Sequence, residues 1–336
     1  MAVYTRVSDT ELAAFLASYD IGQAIGLHGI TEGVENSNYR LETAQGVFIL
    51  TLYEKRVDAA DLPFFLGLMD HMASRGISCP LPVRMRDGSL LGILNDRPAA
   101  IVSFLAGNWQ ASPSPARCHS VGCCLGQLHL AGLTEAGHLQ RANALGPAAW
   151  QPLLERCGSD AEHSNPQRFG NGLMAEANTR LQAILASWPE GLPEGIIHAD
   201  LFPDNVLFSD ETITGVIDFY FACRDLLAYD LAVTLNAWCF DTKGRFMVEK
   251  AAALVAGYQS ARPLSEAELA ALPVLCRGAA MRFFLTRLYD WLNTPADAQV
   301  RPHDPLEYWY RLETQDRLND ATAYGAYHRE VVTNAD

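Results

Sequence analysis

The stretch Ile196-Ile197-His198-Ala199-Asp200-Leu201-Phe202-Pro203-Asp204-Asn205-Val206-Leu207-Phe208, followed by Val216-Ile217-Asp218-Phe219, constrains this chain more than any other. Apolar, strand-forming runs bracket a polar segment from His198 to Asn205, and Asp210-Glu211 falls where a turn returns the chain toward Val216. The spacing predicts a loop between short strands that carries Asp200 and Asn205, then a strand that ends at Asp218. The three polar groups then converge on one side of a cleft. Moving a γ-phosphoryl group takes a carboxylate to hold the attacking hydroxyl, and oxygen ligands that keep Mg2+ on the β- and γ-phosphates of ATP. His-x-Asp-x-x-x-x-Asn with a later Asp-Phe supplies that set. Asp200 is the expected base, and Asn205 and Asp218 are the expected metal ligands. His198 is grouped with Asp200 in the catalytic loop. A histidine beside a carboxylate more often reads as a hydrogen-bonded structural member of such a loop than as the proton carrier.

At 336 residues and 49% hydrophobic, the chain can bury a large core and is long for one compact unit, so two lobes are expected. A net charge of −14, from 39 acidic against 25 basic residues, opposes binding to nucleic acid or anionic lipid. The first twenty residues carry Asp9, Glu11 and Asp20 and do not read as a secretory signal. No run approaches the roughly 18 consecutive apolar residues of a membrane span. A soluble, cytoplasmic protein without nucleic-acid or membrane partners is the expectation. Eight cysteines, at 79, 118, 123, 124, 157, 223, 239 and 276, contain no Cys-x-x-Cys pair and read as reduced core thiols.

Residues 26–56 predict a β meander with turns at Gly33 and at Ala44-Gln45-Gly46. A helix follows, capped by Asp61, carrying Leu62, Phe65, Leu66 and Met69 at helical spacing, and stopped by Gly76. Cys79-Pro80-Leu81-Pro82 breaks the chain, and Asp87-Gly88 reads as the turn between two more strand-like runs, the second from Ala99 to Leu105. Ser112-Pro113-Ser114-Pro115 marks the linker, and the next helix runs to about 132. Beyond the catalytic strands, 225–240, 243–260, 266–292 and 305–328 read as helical, with Ser265 and Glu268 in the form of a capping box. The fold class is therefore α+β and bilobal, in a protein-kinase-like layout. A small β-rich N-terminal lobe over 1–105 binds nucleotide, and a larger, mainly helical lobe over 106–336 holds the catalytic hairpin and the substrate. Nucleotide is expected between them.

His198-x-Asp200-x-x-x-x-Asn205 with Ile217-Asp218-Phe219 resembles the aminoglycoside-phosphotransferase and choline-kinase superfamily; protein kinases would show Arg between His and Asp, and Gly after Asp-Phe. Leu125-Gly126-Gln127-Leu128-His129 and Tyr229-Asp230-Leu231-Ala232 are similar to that superfamily's segments after the linker and after the metal aspartate. Gly33-Val34-Glu35-Asn36-Ser37-Asn38-Tyr39, Phe48 to Arg56, Leu62-Pro63-Phe64-Phe65 and Gly76 to Pro82 resemble its bacterial homoserine kinase subgroup. The resemblance implies ATP-dependent phosphorylation of the L-homoserine hydroxyl, a step toward threonine.

The Gly33 to Tyr39 segment can turn tightly over phosphates, offering backbone N–H groups with Asn36, Ser37 and Asn38; taken alone it equally fits a polar hairpin turn. Superfamily members place a phosphate-binding lysine where Thr51 stands here, and the first lysine comes at Lys55. Thr51 and Lys55 share strand parity but lie about 13 Å apart at ~3.3 Å per residue. Lys55 is a candidate nucleotide contact, or else a solvated strand end. The following helix offers Phe64, Phe65 and Leu66 where a glutamate would pair with that lysine. Arg282 and Arg287, with Asp290, Tyr289 and Trp291, are candidates to hold a substrate carboxylate and ammonium, or a helix-pairing face. Asp230 either orients the catalytic loop or caps the helix from 231. Choline, methylthioribose or an aminoglycoside remain alternative acceptors, and a nucleotide-binding scaffold without turnover is a different class of reading. A scaffold would have no use for a base such as Asp200.

Overall fold

The structure, a computed structural model, describes residues 4–30, 36–54, 58–133, 139–170, 172–295 and 301–327. It begins with α1 (Asp9–Leu16), β1 (Ala24–Gly29), β2 (Ser37–Thr43), β3 (Gly46–Leu52), α2 (Leu62–Ser74), β4 (Gly92–Leu94) and β5 (Arg97–Ser103). Next come α3 (Pro115–Leu133), α4 (Pro147–Ser164), α5 (Pro166–Phe169), α6 (Leu173–Ala186), β6 (Glu194–Ile197), β7 (Val206–Ser209), β8 (Thr212–Val216) and β9 (Cys223–Leu226). The chain continues with α7 (Leu227–Trp238), α8 (Val248–Ala261), α9 (Glu266–Asn293) and α10 (Pro305–Gln315).

Two compact units result. The β-rich unit draws on Met1–Trp109, Glu135–Arg141 and Val206–Phe221. Its antiparallel sheet runs β1-β2-β3-β5-β4. Every second residue of β2 is buried, and register pairs Tyr39 with Leu50 and Leu41 with Phe48. The two-residue period thus puts Tyr39, Leu41, Leu50 and Leu52 on one face, where they pack with Leu12, Phe15 and Leu16 of α1. Each such buried side chain contributes roughly 1.5–3 kcal/mol. α1 starts on a capping box: Ser8 N–H donates to Glu11 Oε2 at 2.8 Å, and Ser8 Oγ accepts from Glu11 N–H at 3.4 Å.

Several local expectations change here. Asp61 precedes α2 without capping it, because Arg141 Nε donates to its carboxylate at 2.7 Å. Gly76, with φ +84°, does end that helix segment. Asp87-Gly88 forms a tight turn closed by Gly88 N–H to Met85 O at 2.9 Å, but no strand precedes it. The hairpin turn is Asn95-Asp96, between β4 and β5, with φ +52° and +58°. Asn and Asp tolerate that left-handed geometry, and its twist suits a hairpin. The β7–β8 hairpin belongs to this unit: Asn108 and Phe208 exchange two 3.0 Å backbone bonds, and Val216 N–H donates to Ser78 O at 2.8 Å.

The helical unit draws on Gln110–Thr134, Ala142–Asn205 and Ala222–Asp336. β6 and β9 form a two-stranded antiparallel sheet, pairing Ile197 with Cys223. α9 is long and apolar enough to cross a membrane, and 78% of its most apolar stretch is buried inside the protein, as in a core helix. Ser265 and Glu268 make the expected capping box at its start. α3 and α8 approach closely because Gly122 and Gly257 carry no Cβ: one would overlap the Leu254 carbonyl, the other the His119 carbonyl. The helix expected over 305–328 is shorter, since α10 stops at Gln315 and residues Ala321–Tyr324 form a separate 3-10 turn capped by Asp320. All eight cysteines are free, six of them buried.

Candidate active site

In the helical unit the chain leaves β6 at Ile197 and turns at once, and a single carboxylate causes the turn. Asp230, in the first turn of α7, accepts from His198 N–H at 2.7 Å with Oδ2 and from Ala199 N–H at 2.8 Å with Oδ1. Asp230 therefore orients the loop and does not cap a helix. Ala199 adopts φ +62°, a conformation that costs an alanine about 1–2 kcal/mol. Two charge-assisted bonds offset that cost. Arg282 donates to Ala199 O at 3.2 Å and Trp238 Nε1–H to Leu201 O at 2.8 Å. Inside the loop, Asn205 Nδ2 donates to Asp200 O at 2.9 Å, so the two residues expected to act as base and metal ligand are tied to one another.

Behind Asp230 runs a chain of buried polar groups. His129 Nε2 lies 3.0 Å from Asp230 Oδ2 and His129 Nδ1 2.8 Å from the Tyr258 hydroxyl. Arg262 donates to that hydroxyl at 3.0 Å and pairs with Glu268 at 2.8 Å. The partners fix the tautomer: Nε2–H donates to the carboxylate, so Nδ1 accepts from the tyrosine O–H. Burial pushes the Asp230 carboxyl up, but the hydrogen bonds it accepts from His129 and from the His198 backbone outweigh it and hold it below the usual range. His129 sits on α3 and Tyr258 on α8, so the glycine-mediated approach of those helices is what lets this chain form.

His198, expected beside Asp200 in the catalytic loop, is 0% exposed and donates its backbone N–H to Asp230. Asp200 is partly exposed.

The β-rich unit carries Asp218, two residues beyond β8, exposed and at φ +65°. A 3-10 turn, Phe219–Phe221, follows. Its Tyr220 hydroxyl lies 3.2 Å from the Tyr53 hydroxyl and also hydrogen-bonds Thr51. Burial raises the Tyr220 hydroxyl well above its usual pKa, and Tyr53 and Asp218 add to the effect. Thr51, 4% exposed, donates to Asn38 Oδ1 at 2.8 Å. At the position of the superfamily's lysine, then, stands a neutral set: Asn38, Thr51, Tyr53 and Tyr220. Where a glutamate would pair with it, Phe65 packs edge-on against Tyr220 with ring centroids 5.5 Å apart.

The other expected nucleotide contacts fare differently. Gly33 and Lys55 lie outside the described residues. Ser37 is buried and its hydroxyl is fully used, accepting from Tyr4 N–H at 2.9 Å and Thr5 N–H at 3.0 Å while donating to Glu54 at 2.8 Å. Asn36 Oδ1 is likewise turned inward, 3.3 Å from Glu54 N–H. These side chains brace the strand, because a polar group at 0–4% exposure has to find its partners inside the protein. Among the described residues no three His, Cys, Asp or Glu side chains cluster as a metal site. The oxygen donors of Asn205 and Asp218 suit a hard cation such as Mg2+. Sequence reading missed the His129–Asp230 link, which joins residues 101 apart, and the Tyr220 link to Tyr53 just beyond β3.

The antiparallel sheet unit, the helical unit and the Asp200–Asn205 loop with its later Asp218 turn define a bilobal, protein-kinase-like phosphotransferase fold. The chain belongs to the phosphotransferase enzyme family APH, whose profile matches residues 26–264. It is similar to the homoserine kinase of Acidiphilium cryptum (strain JF-5), at 57% identity over 97% of this chain and 100% of that one. The homoserine kinase of Azorhizobium caulinodans is 56% identical over 97% of this chain and 99% of its own length. Among solved structures, amicoumacin kinase hAmiN in complex with AMP-PNP, Ca2+ and Ami aligns with a TM-score of 0.70 at 15% identity, covering 93% of this chain and 94% of that one. That likeness speaks for the fold alone.

Proposed function

We propose that the protein transfers the γ-phosphoryl group of ATP to the side-chain hydroxyl of L-homoserine, giving ADP and O-phospho-L-homoserine. The observation that carries the substrate is the 57% identity, over 97% of the chain, to a protein named homoserine kinase. Asp200 accepts the hydroxyl proton as the substrate oxygen bonds to the γ-phosphorus, and the bond to the β–γ bridging oxygen breaks with its electron pair leaving on ADP. Asn205 commits its amide N–H to the Asp200 carbonyl, which leaves Oδ1 for a hard cation. Asp218 supplies the carboxylate ligand. Bound Mg2+ neutralises charge on the β- and γ-phosphates. His198 holds the loop entry through its backbone bond to Asp230.

On the nucleotide side, backbone amides from Gly33 to Asn38 and the Lys55 ammonium receive the phosphates, with residues 1–105 as the nucleotide lobe and 106–336 as the catalytic and substrate lobe. The Ser37 hydroxyl, already saturated, takes no part. The test is ADP release from Mg-ATP with L-homoserine, choline, methylthioribose and an aminoglycoside as acceptors. Selective turnover of homoserine supports the proposal; turnover of another of these alcohols in its place overturns the substrate and keeps the reaction class.

A further inference from the structure

The helical unit holds a charged group that the proposed chemistry leaves unused. Arg287 on α9 donates to Glu307 Oε2 on α10 at 2.7 Å, and Arg311, one turn further along α10, donates to the other carboxylate oxygen. Both guanidinium groups lie 4.5 Å from the centre of the Tyr308 ring. That ring in turn packs on Phe283 at 5.0 Å and on Phe202 of the catalytic loop at 6.4 Å. Burial raises the pKa of the Tyr308 hydroxyl, Arg311 and Arg287 oppose that rise, and Glu307 and Asp200 add to it. The cluster is thus tied to the base through one shared aromatic ring.

Two further observations separate it from an ordinary surface ion pair. The Tyr308 side chain is fully buried, and its hydroxyl, like Arg311 Nε, has no hydrogen-bond partner among the described residues. A buried polar group left that way costs about 1–3 kcal/mol until a ligand or water satisfies it. The two charges are also set side by side with unequal access: the Arg287 side chain is 13% exposed and that of Glu307 43%. Adjacent, rigidly mounted charges of opposite sign match the α-carboxylate and α-ammonium of an amino acid. Arg282, the other sequence candidate, is buried and donates to Ala199 O. Arg311 donates to the Asn236 carbonyl at 2.5 Å and so braces α7. Of these three arginines, Arg287 combines partial exposure with donors beyond its one bond among the described residues, that to Glu307.

The geometry points to Arg287 and Glu307 as the pair that binds the carboxylate and ammonium of the amino-acid acceptor, with Tyr308 as the positioning residue that relates them to Asp200; this rests on the homoserine reading. The test compares L-homoserine with L-homoserinol, in which CH2OH replaces the carboxylate, and with 4-hydroxybutanoate, which lacks the ammonium. Arg287→Met raises KM for homoserine roughly 10²-fold, as expected when the charged partner of a bound carboxylate is removed, and collapses the preference over homoserinol. Glu307→Gln collapses the preference over 4-hydroxybutanoate. Arg287→Lys, which keeps the charge and loses the planar fork, gives an intermediate KM in a protein whose melting is checked alongside. Wild-type turnover of homoserine with unchanged KM and selectivity in the Arg287 variants overturns the pair and leaves the substrate reading standing. An equal loss on homoserine and homoserinol also overturns it. Wild-type turnover of a different alcohol, with none of homoserine, fails the underlying reading.

Discussion

Asp230→Asn replaces one carboxylate oxygen by an amide nitrogen and leaves the shape of the side chain intact, so its effect is electrostatic. The native carboxylate accepts from His198 N–H at 2.7 Å and Ala199 N–H at 2.8 Å, with His129 at 3.0 Å. Asparagine keeps one acceptor, so one backbone N–H is left facing another donor. An orphaned buried donor costs about 1–3 kcal/mol, and the surviving bond loses its charge assistance, for a total on the order of 3 kcal/mol. A unit of this size loses about 2–4 °C of Tm per kcal/mol, so the variant melts roughly 6–12 °C lower. Ala199 is no longer held in its left-handed turn, Asp200 beside it shifts, and kcat falls on the order of 10²-fold. The pH dependence carries a sign. A folded carboxyl held below its ordinary value stabilises the protein fully above the unfolded value of about 3.9, and that stability is lost as pH falls toward the folded value. The gap between wild type and variant is therefore constant near neutrality and narrows below about pH 4. Thermal unfolding across pH together with ADP release measures both; equal melting, or a gap that widens in acid, would refute the reasoning.

Asp218→Ala is expected to abolish Mg2+-dependent ATP binding by calorimetry, and a variant that binds Mg-ATP as wild type does would move the metal elsewhere. Thr51→Lys, which restores the superfamily's residue, forces an ammonium into a site 4% exposed beside the Tyr220 and Asn38 partners. The variant should unfold at lower urea by at least 1–2 kcal/mol without gaining ATP affinity; tighter ATP binding would contradict the neutral set. Burial holds the thiols of Cys118, Cys124 and Cys276 at about 12, so at pH 8 the folded protein reacts slowly with a thiol reagent and all eight react once urea unfolds it. Eight fast equivalents in the native state would refute that burial.

What the sequence revealed was what short-range chemistry controls. The Ala44-Gln45-Gly46 turn, the stop near Gly76 and the Ser265–Glu268 capping box depend on residues within one turn of each other. The spacing of Asp200, Asn205 and the β7–β8 hairpin is likewise local. Misreadings arose where a distant group intervened. Asp61 has the side chain of a cap, but Arg141 takes it. Asp230 reads equally as a helix cap or a loop anchor in sequence, and the His198 and Ala199 amides, some thirty residues away, decide it. Ser37 reads as a phosphate contact until its three partners fill it. Nothing in the chain order announces that His129 meets Asp230, or that Tyr308 lies between Phe202 and Arg287. The start of α1 is legible on the same ground, since Ser8 and Glu11 carry the same capping signature as Ser265 and Glu268.

The most direct measurement is steady-state turnover and ATP binding of Asp200→Asn beside wild type, with L-homoserine as acceptor. The account expects kcat to fall by about 10²–10⁴-fold, the contribution of a positioned base, while Mg-ATP binds with unchanged affinity. Turnover equal to wild type would remove Asp200 as the base and with it the central assignment.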